Sequence, residues 1–457
     1  MTVPTSSASS GNPIPRSSRR KSRLRRKART RRKLRANLSE FLGSVADGQY
    51  RPQRKFLRDF LLGSIVSGSV VLARIAESLV KHEDVADEFY ILKRLSRNIC
   101  SDRFDFRAFQ KRLLERASRR TLANDGEGVV VGFDYTDLSK PYSDPKNPRG
   151  MEGVCYCRDG SKKKIGPGYP VGIAGAVLPS GARFPILIRP YSFKGEDFAS
   201  TSENRVWLRQ VAEIVPHVGS RALWVFDRGF KGRDFYFGLD EQGTRWLVRQ
   251  KINVSAVFFD ERGEEVRLRE IVNELDLPFK AKIGRGGQGR ATKIEFGAKT
   301  VFLHGGGNKP YRRPEGPART LVVVWGFGND GVAYLFSERI DPHDRTAVYR
   351  LVRAYSKRWR TEEMIRAAKD EDRWGPGLEN VRVLTTRGVV LIAALVSAIY
   401  LLLSEIDERR RLREDVASVA CASGVVPKDL SYRLFRGAGV LLGDIGVRAY
   451  REFRAAA

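Results

Sequence analysis

The sequence predicts an α/β protein: a mixed-sheet core interrupted by a β-rich insertion, preceded by a helical domain and a basic disordered arm. Three observations predict it. Apolar runs of strand length begin at Gly128 and are followed by alternating helical and strand segments. Residues 252–339 carry short alternating runs divided by Gly, Pro and Asn. The segments on either side, 37–125 and 340–457, read as helices.

Taken in order, residues 1–36 form a low-complexity arm in which 13 of the 20 residues from Arg16 to Arg35 are Lys or Arg. So little apolar surface predicts no independent fold, and the charge suits phosphate contact driven by counterion release. Residues 37–125 contain "FLRDFLLGSIVSGSVVLARIAESLV" and the amphipathic "FDFRAFQKRLLERASRR". They predict a helical DNA-binding domain, without clear helix-turn-helix spacing.

Residues 126–251 predict the first part of an α/β core. "GVVVGFDYTDLSK", "YPVGIAGAVL" and "RFPILIRPYSF" read as a meander of three strands. The helix "STSENRVWLRQVAEIV", the buried strand "RALWVFDRGF", the helix "GRDFYFGLDEQG" and the strand "TRWLVRQK" follow. The insertion at 252–339 includes "GRGGQG", a literal match to a dinucleotide fingerprint. A strand rather than a helix follows it, so no helix N-terminus would meet a pyrophosphate, and a glycine-rich hairpin is expected. Residues 340–410 predict the second part of the core, and 411–457 a C-terminal helical region.

The chain's 457 residues suffice for two or three domains, and its net charge of +30 with a pI near 10.2 implies a polyanionic partner, nucleic acid first. The four cysteines lack zinc-knuckle spacing or a disulfide framework, and the four histidines are scattered, consistent with a reducing cytoplasm. The N-terminus lacks the apolar core of a secretory signal. The apolar run "VVLIAALVSAIYLLL" at 389–403 is about 15 residues against the roughly 20 that span a bilayer, which predicts a buried core helix and no membrane partner.

Candidate chemistry lies at strand ends. Asp134 is expected at the end of the first strand and Asp227 at the end of the fourth. If those strands are neighbours, both carboxylates emerge at one edge. "YSKRWRTEEMIRAAK", residues 355–369, supplies a third. At about 100° per residue, Arg358, Glu362 and Lys369 fall within roughly 60° of Tyr355, in one stripe, whereas Glu363 lies about 100° from Glu362. Taken alone, the helix could simply carry surface ion pairs, Arg358 with Glu362 and Glu362 with Arg366. Combined with the two aspartates, Glu362 completes a hard-oxygen set suited to Mg²⁺. Asp137, three residues beyond Asp134, is the competing first aspartate; Asp134 is preferred at the end of the apolar run.

These motifs resemble those of the DDE transposases of bacterial insertion sequences, in the branch with a Y-x2-R-x3-E-x6-K signature. Tyr355, Arg358, Glu362 and Lys369 match that spacing, "FDYTDLSKPY" resembles the segment around the first Asp, and "FDRGF" that around the second. The resemblance covers roughly residues 128–410, including a β-rich insertion between second Asp and Glu. It implies an RNase H-like core. Asp134, Asp227 and Glu362 would be catalytic ligands of two divalent ions, Mg²⁺ with Mn²⁺ as substitute. Tyr355, Arg358 and Lys369 would contact DNA. It further implies hydrolysis at the element end, attack of the freed 3′-OH on double-stranded target DNA, and a homodimer in the synaptic complex. Competing expectations are an RNase H-like DNA nuclease without strand transfer, and a non-catalytic transposase-derived DNA-binding protein.

Overall fold

Strand-forming runs in the middle of the chain pair into one sheet. In the computed structural model, which describes residues 16–80, 87–147, 150–159, 164–194, 202–252, 256–284, 291–304, 314–327, 331–369, 376–422 and 430–443, the first strands are β1 (Val130–Ser139), β2 (Cys155–Asp159), β3 (Lys164–Val177), β4 (Arg183–Pro190), β5 (Leu223–Phe226) and β6 (Arg245–Gln250). The others are β7 (Val257–Phe259), β8 (Glu265–Arg267), β9 (Phe279–Gly284), β10 (Ala291–His304), β11 (Pro314–Trp325) and β12 (Val332–Phe336). The order is β2-β3-β1-β5-β6-β12-β11-β10-β7-β8, with β4 on β3 and β9 on β10. Among these pairings β1–β5 and β5–β6 are parallel and the others antiparallel. The expected three-strand meander therefore gains a fourth member, the short β2, which pairs with the opening residues of β3.

The strands of the 252–339 segment extend the core sheet: β12 lies antiparallel to β6, from Ala333 beside Gln250 to Phe336 beside Leu247. Pairing satisfies the free edge of β6, which would otherwise expose a row of backbone donors and acceptors. "GRGGQG" lies between β9 and β10, which pair antiparallel with Gly284 opposite Ala291; residues 285–290 lie outside the described residues.

Helices cover both faces. On one, α6 (Glu203–Ile214) and α7 (Arg233–Glu241) bury Trp207, Val211 and Phe235 in the cluster that holds Val131 and Phe133. On the other, α9 (Arg345–Lys357) buries Val348, Leu351 and Val352 with Val130, Val225, Leu247 and Val324. The alternation of Val130 and Val131 between the two cores is the period-2 pattern of a strand buried on both sides. A short α8 (Leu268–Glu274) follows β8.

At the N-terminus the expectation of a disordered arm is corrected. The helix α1 runs from Arg16 to Val45, and residues 1–15 lie outside the described residues. Leu34, Leu38, Phe41, Leu42 and Val45 are buried at helical spacing, so the apolar second half fixes the helix and the basic first half continues it. Arg26 and Thr30 also bond to the Asp415 carboxylate, at 2.7 and 3.0 Å. The helices α2 (Arg51–Ser67), α3 (Leu72–Val80), α4 (Glu88–Ile99) and α5 (Phe106–Thr121) follow.

Between α1–α5 and the sheet lies α11 (Thr386–Glu408), with α12 (Arg410–Ala422) and α13 (Leu430–Gly443) beside it. At 23 residues α11 is longer than its apolar run and is long and apolar enough to cross a membrane, yet its apolar side chains are buried inside the protein. It is apolar all round, which requires neighbours on every side. They are β4, α2, α4, α5, α12 and α13. Helices from both ends of the chain thus share one layer, and the Arg116–Glu405 (2.7 Å) and Arg120–Glu408 (2.7 Å) ion pairs join α5 to α11.

The remaining helix, α10 (Trp359–Lys369), lies against β1, β3 and β4. Gly132 and Gly175 are register partners on β1 and β3, and α10 rests on both. A Cβ on Gly132 would lie 2.1 Å from Thr361 Oγ1 and 3.1 Å from its Cβ; one on Gly175 would lie 2.2 Å from Met364 Cε. Thr361 is β-branched, fully buried, and its hydroxyl has no hydrogen-bond partner among the described residues. Gly132→Ala should therefore destabilise the fold by about 1–3 kcal/mol, measured by urea unfolding. Thr361→Ala in the same chain should recover much of that loss; equal losses with and without Thr361 contradict this packing.

Candidate active site

Four segments meet at one edge of the β1–β5 pair. Parallel register sets Phe133 beside Phe226, so the next residues, Asp134 and Asp227, stand level. Asp227 directly follows β5, as expected. Asp134 does not end its strand: β1 continues to Ser139 because β3 goes on pairing with it, and only the pairing with β5 stops at Phe133. In the "DRGF" turn the Phe230 N–H donates to the Asp227 carbonyl at 3.1 Å, and the Phe230 ring is buried. A Cβ on Gly229 would lie 2.9 Å from the Tyr135 ring, so glycine lets the turn close on β1.

The third carboxylate comes from the helix pair above. Residues 355–369, expected within one helix, are divided between the end of α9 and α10, with a tight turn at Arg358 between them. Its signs are i→i+3 bonds from Arg358 N–H to Tyr355 O (2.9 Å) and from Thr361 N–H to Arg358 O (2.8 Å). The Arg358 side chain is only 9% exposed. Its guanidinium donates to Asp134 at 2.8 Å and to Glu362, and lies 4.0 Å from Asp227. Asp227 also accepts from the Tyr355 hydroxyl at 3.1 Å, and Arg249, at the end of β6, stands 3.9 Å away.

Asp134, Asp227, Glu362, Tyr355 and Arg358 are thus brought together. Lys369 is not among them. It lies seven positions beyond Glu362, about 10 Å along a helix axis, so a stripe along the axis cannot converge on one point. Its amine reaches β1 farther on, 3.1 Å from Thr136 Oγ1 and 3.6 Å from Asp137, and pairs with Glu379 at 2.8 Å. Asp137 therefore belongs to the Lys369 pair. Glu363 points elsewhere, to Arg183 (2.7 Å) and Arg360 (3.0 Å). Arg249 and Glu379 were missed. Arg249 follows the same strand-edge logic as the aspartates, because β6 is parallel to β5.

Burial and like charge set the electrostatics. The Asp134 carboxyl is pushed up to about 6, first by burial; Arg358 and the Tyr135 N–H pull it down, and Asp227 and Glu362 push it up. Burial, with Asp227 adding to it, raises the Tyr355 hydroxyl, which stays a donor. For Arg358 burial acts to lower the pKa, but Tyr355 and the three carboxylates together outweigh it and hold the guanidinium protonated.

Three carboxylates are a hard-oxygen donor set that fits a divalent ion such as Mg²⁺ in kind. Their present spacing is that of a guanidinium: among the described residues no group of three or more His, Cys, Asp or Glu lies close enough to hold a metal. The buried Arg358 Nε has no hydrogen-bond partner among them, so this counter-ion arrangement leaves a donor unsatisfied.

No family model matches the chain, and no curated protein does. Among solved structures, it is similar to the piggyBac transposase synaptic complex with hairpin DNA, with a TM-score of 0.36 and 13% identity over 86% of this chain and 73% of that chain.

The Asp134 shift has a sign that can be measured. Its folded pKa lies above the ordinary carboxylate value of about 3.9, so stability present at low pH is lost as pH rises through about 4 to 6. Asp134→Asn removes that loss. In metal-free unfolding, the stability of the variant minus that of the wild type should grow by about 1–3 kcal/mol between pH 4 and pH 7; a difference independent of pH contradicts a buried, raised Asp134.

Proposed function

We propose that the protein is a DNA transposase of the DDE type, cleaving the ends of a mobile element and joining them to target DNA. The observation that carries this reading is the convergence of Asp134, Asp227 and Glu362, from β1, the end of β5 and α10, on one guanidinium. A second feature supports it. The strand order β4-β3-β1-β5-β6, three antiparallel strands followed by two parallel ones, is the arrangement expected of an RNase H-like core. The excess of 83 Lys and Arg over 53 Asp and Glu supports a DNA partner.

In this reading Asp134, Asp227 and Glu362 hold two divalent ions, Mg²⁺ or Mn²⁺, which would activate the attacking oxygen and neutralise the leaving one. The protein's own residues do the rest. Tyr355 keeps its proton and, through its hydroxyl, orients Asp227. Arg358 and Arg249 offer planar donors to a phosphate at the same edge. Lys369, Asp137 and Glu379 brace β1 against the chain after α10, and Lys369 contacts DNA there. A homodimer would hold two element ends in one synaptic complex, in the cytoplasm with the nucleoid.

The test is nicking and strand transfer, in Mg²⁺ or Mn²⁺, with DNA from either side of the coding region, searched for terminal inverted repeats. Asp134→Ala, Asp227→Ala and Glu362→Ala should each lower nicking by about a hundredfold or more while retaining DNA binding. Glu363→Ala should stay within a few-fold of wild type. Full nicking by any of the first three removes that residue from the site. Cleavage without joining would favour a nuclease.

A further inference from the structure

Beyond the carboxylates, β1 leads to a second feature. A groove of ≈1230 Å³ opens between α3–α4 and the segment after β1, reaching Lys140, Tyr142 and residues 379–384. Its lining includes the apolar, half-buried Val71, Leu72 and Leu92. Its rims carry Phe89 at 66% and Tyr142 at 86% exposure, an unusual state for aromatic rings. Each ring has a cation at its face: Lys93 Nζ is 5.9 Å from the Phe89 centroid, and the Arg382 guanidinium 5.1 Å from that of Tyr142. Arg74 and Arg97 add positive charge. Among the described residues lining it, Glu379 is the one acid, and its carboxylate pairs with Lys369.

We infer that this groove binds a single-stranded segment of DNA, its bases stacked on Tyr142 and Phe89 and its phosphates against Lys93, Arg97 and Arg382. Exposed rings flanked by cations in a partly apolar groove are a stacking platform for unpaired bases. A duplex keeps its bases stacked internally and offers a non-specific surface little but phosphate. The route from the carboxylates is built in. From Asp134 to Lys140 the strand covers about 20 Å, and the buried Lys140 amine donates to the Glu379 and Val381 carbonyls at 2.6 and 2.7 Å, fixing the groove wall to β1. The groove would take the strand that continues from the reacting phosphate, and to that extent the inference rests on the transposase reading.

The test uses the full chain in EDTA with an oligothymidylate bearing 5-iodouracil, so that no cleavage is needed. At salt high enough to screen the basic helix α1, irradiation should cross-link Tyr142 or Phe89, as located by peptide mass spectrometry. Tyr142→Ala and Phe89→Ala should each weaken binding by about fivefold or more, and Tyr142→Phe should bind like wild type. Cross-links confined elsewhere, or wild-type affinity in both alanine variants, overturn the groove while leaving the carboxylate reading untouched. Cross-linking at Tyr142 in a protein that never nicks DNA would keep the groove and overturn the catalytic reading.

Discussion

The Arg358 guanidinium, buried among three carboxylates, is the interaction on which the site depends. Asp134, Asp227 and Glu362 come from chain positions far apart and repel one another; the cation between them offsets that repulsion. Removing one partner of such a buried set leaves uncompensated charge, the costly outcome for a buried ion pair. Because Arg358 occupies the turn between α9 and α10, the same contact also fixes where both helices sit on the sheet. Three acids face Arg358 and the more distant Arg249, and the Asp134 carboxyl is raised first by its burial, with Asp227 and Glu362 adding to it against the pull of Arg358.

Backbone geometry makes that contact possible. Parallel pairing of β1 with β5 sets the two aspartates level, and the Gly132–Gly175 pair lets α10 approach until Thr361 touches the strand. Val130, Gly132, Asp134 and Thr136 alternate along one face of β1, beneath α9, Thr361, Arg358 and Lys369 in turn. A shift of register by one residue would turn this whole set to the opposite face. The helical layer around α11 holds the other side of the core and carries the groove wall formed by α3 and α4.

Much of the site was legible in the sequence. Asp134 and Asp227 follow apolar runs that read as buried strands, and the angular stripe separates Glu362 from Glu363, which the structure turns toward Arg183. What escaped was tertiary. The continuation of β1 past Asp134 depends on β3, not on local pattern. The separation of Lys369 from the carboxylates follows from helix rise, which an angular projection discards. The folding of the basic arm depends on Leu34 to Val45 finding the helical layer, and the joining of residues 252–339 to the core sheet depends on a pairing between β6 and β12 some 80 residues apart in sequence. The groove brings Phe89 and Tyr142 together from separate segments, and no local pattern marks either residue.

On the proposed function these three carboxylates would hold divalent ions, with Arg358 holding the carboxylates when no ion is bound. The most direct measurement is anomalous diffraction from crystals soaked in Mn²⁺. Mn²⁺ peaks are expected between Asp134, Asp227 and Glu362, with the Arg358 guanidinium moved out from between them. Peaks elsewhere, or none while Arg358 keeps its three partners at saturating Mn²⁺, would contradict that reading.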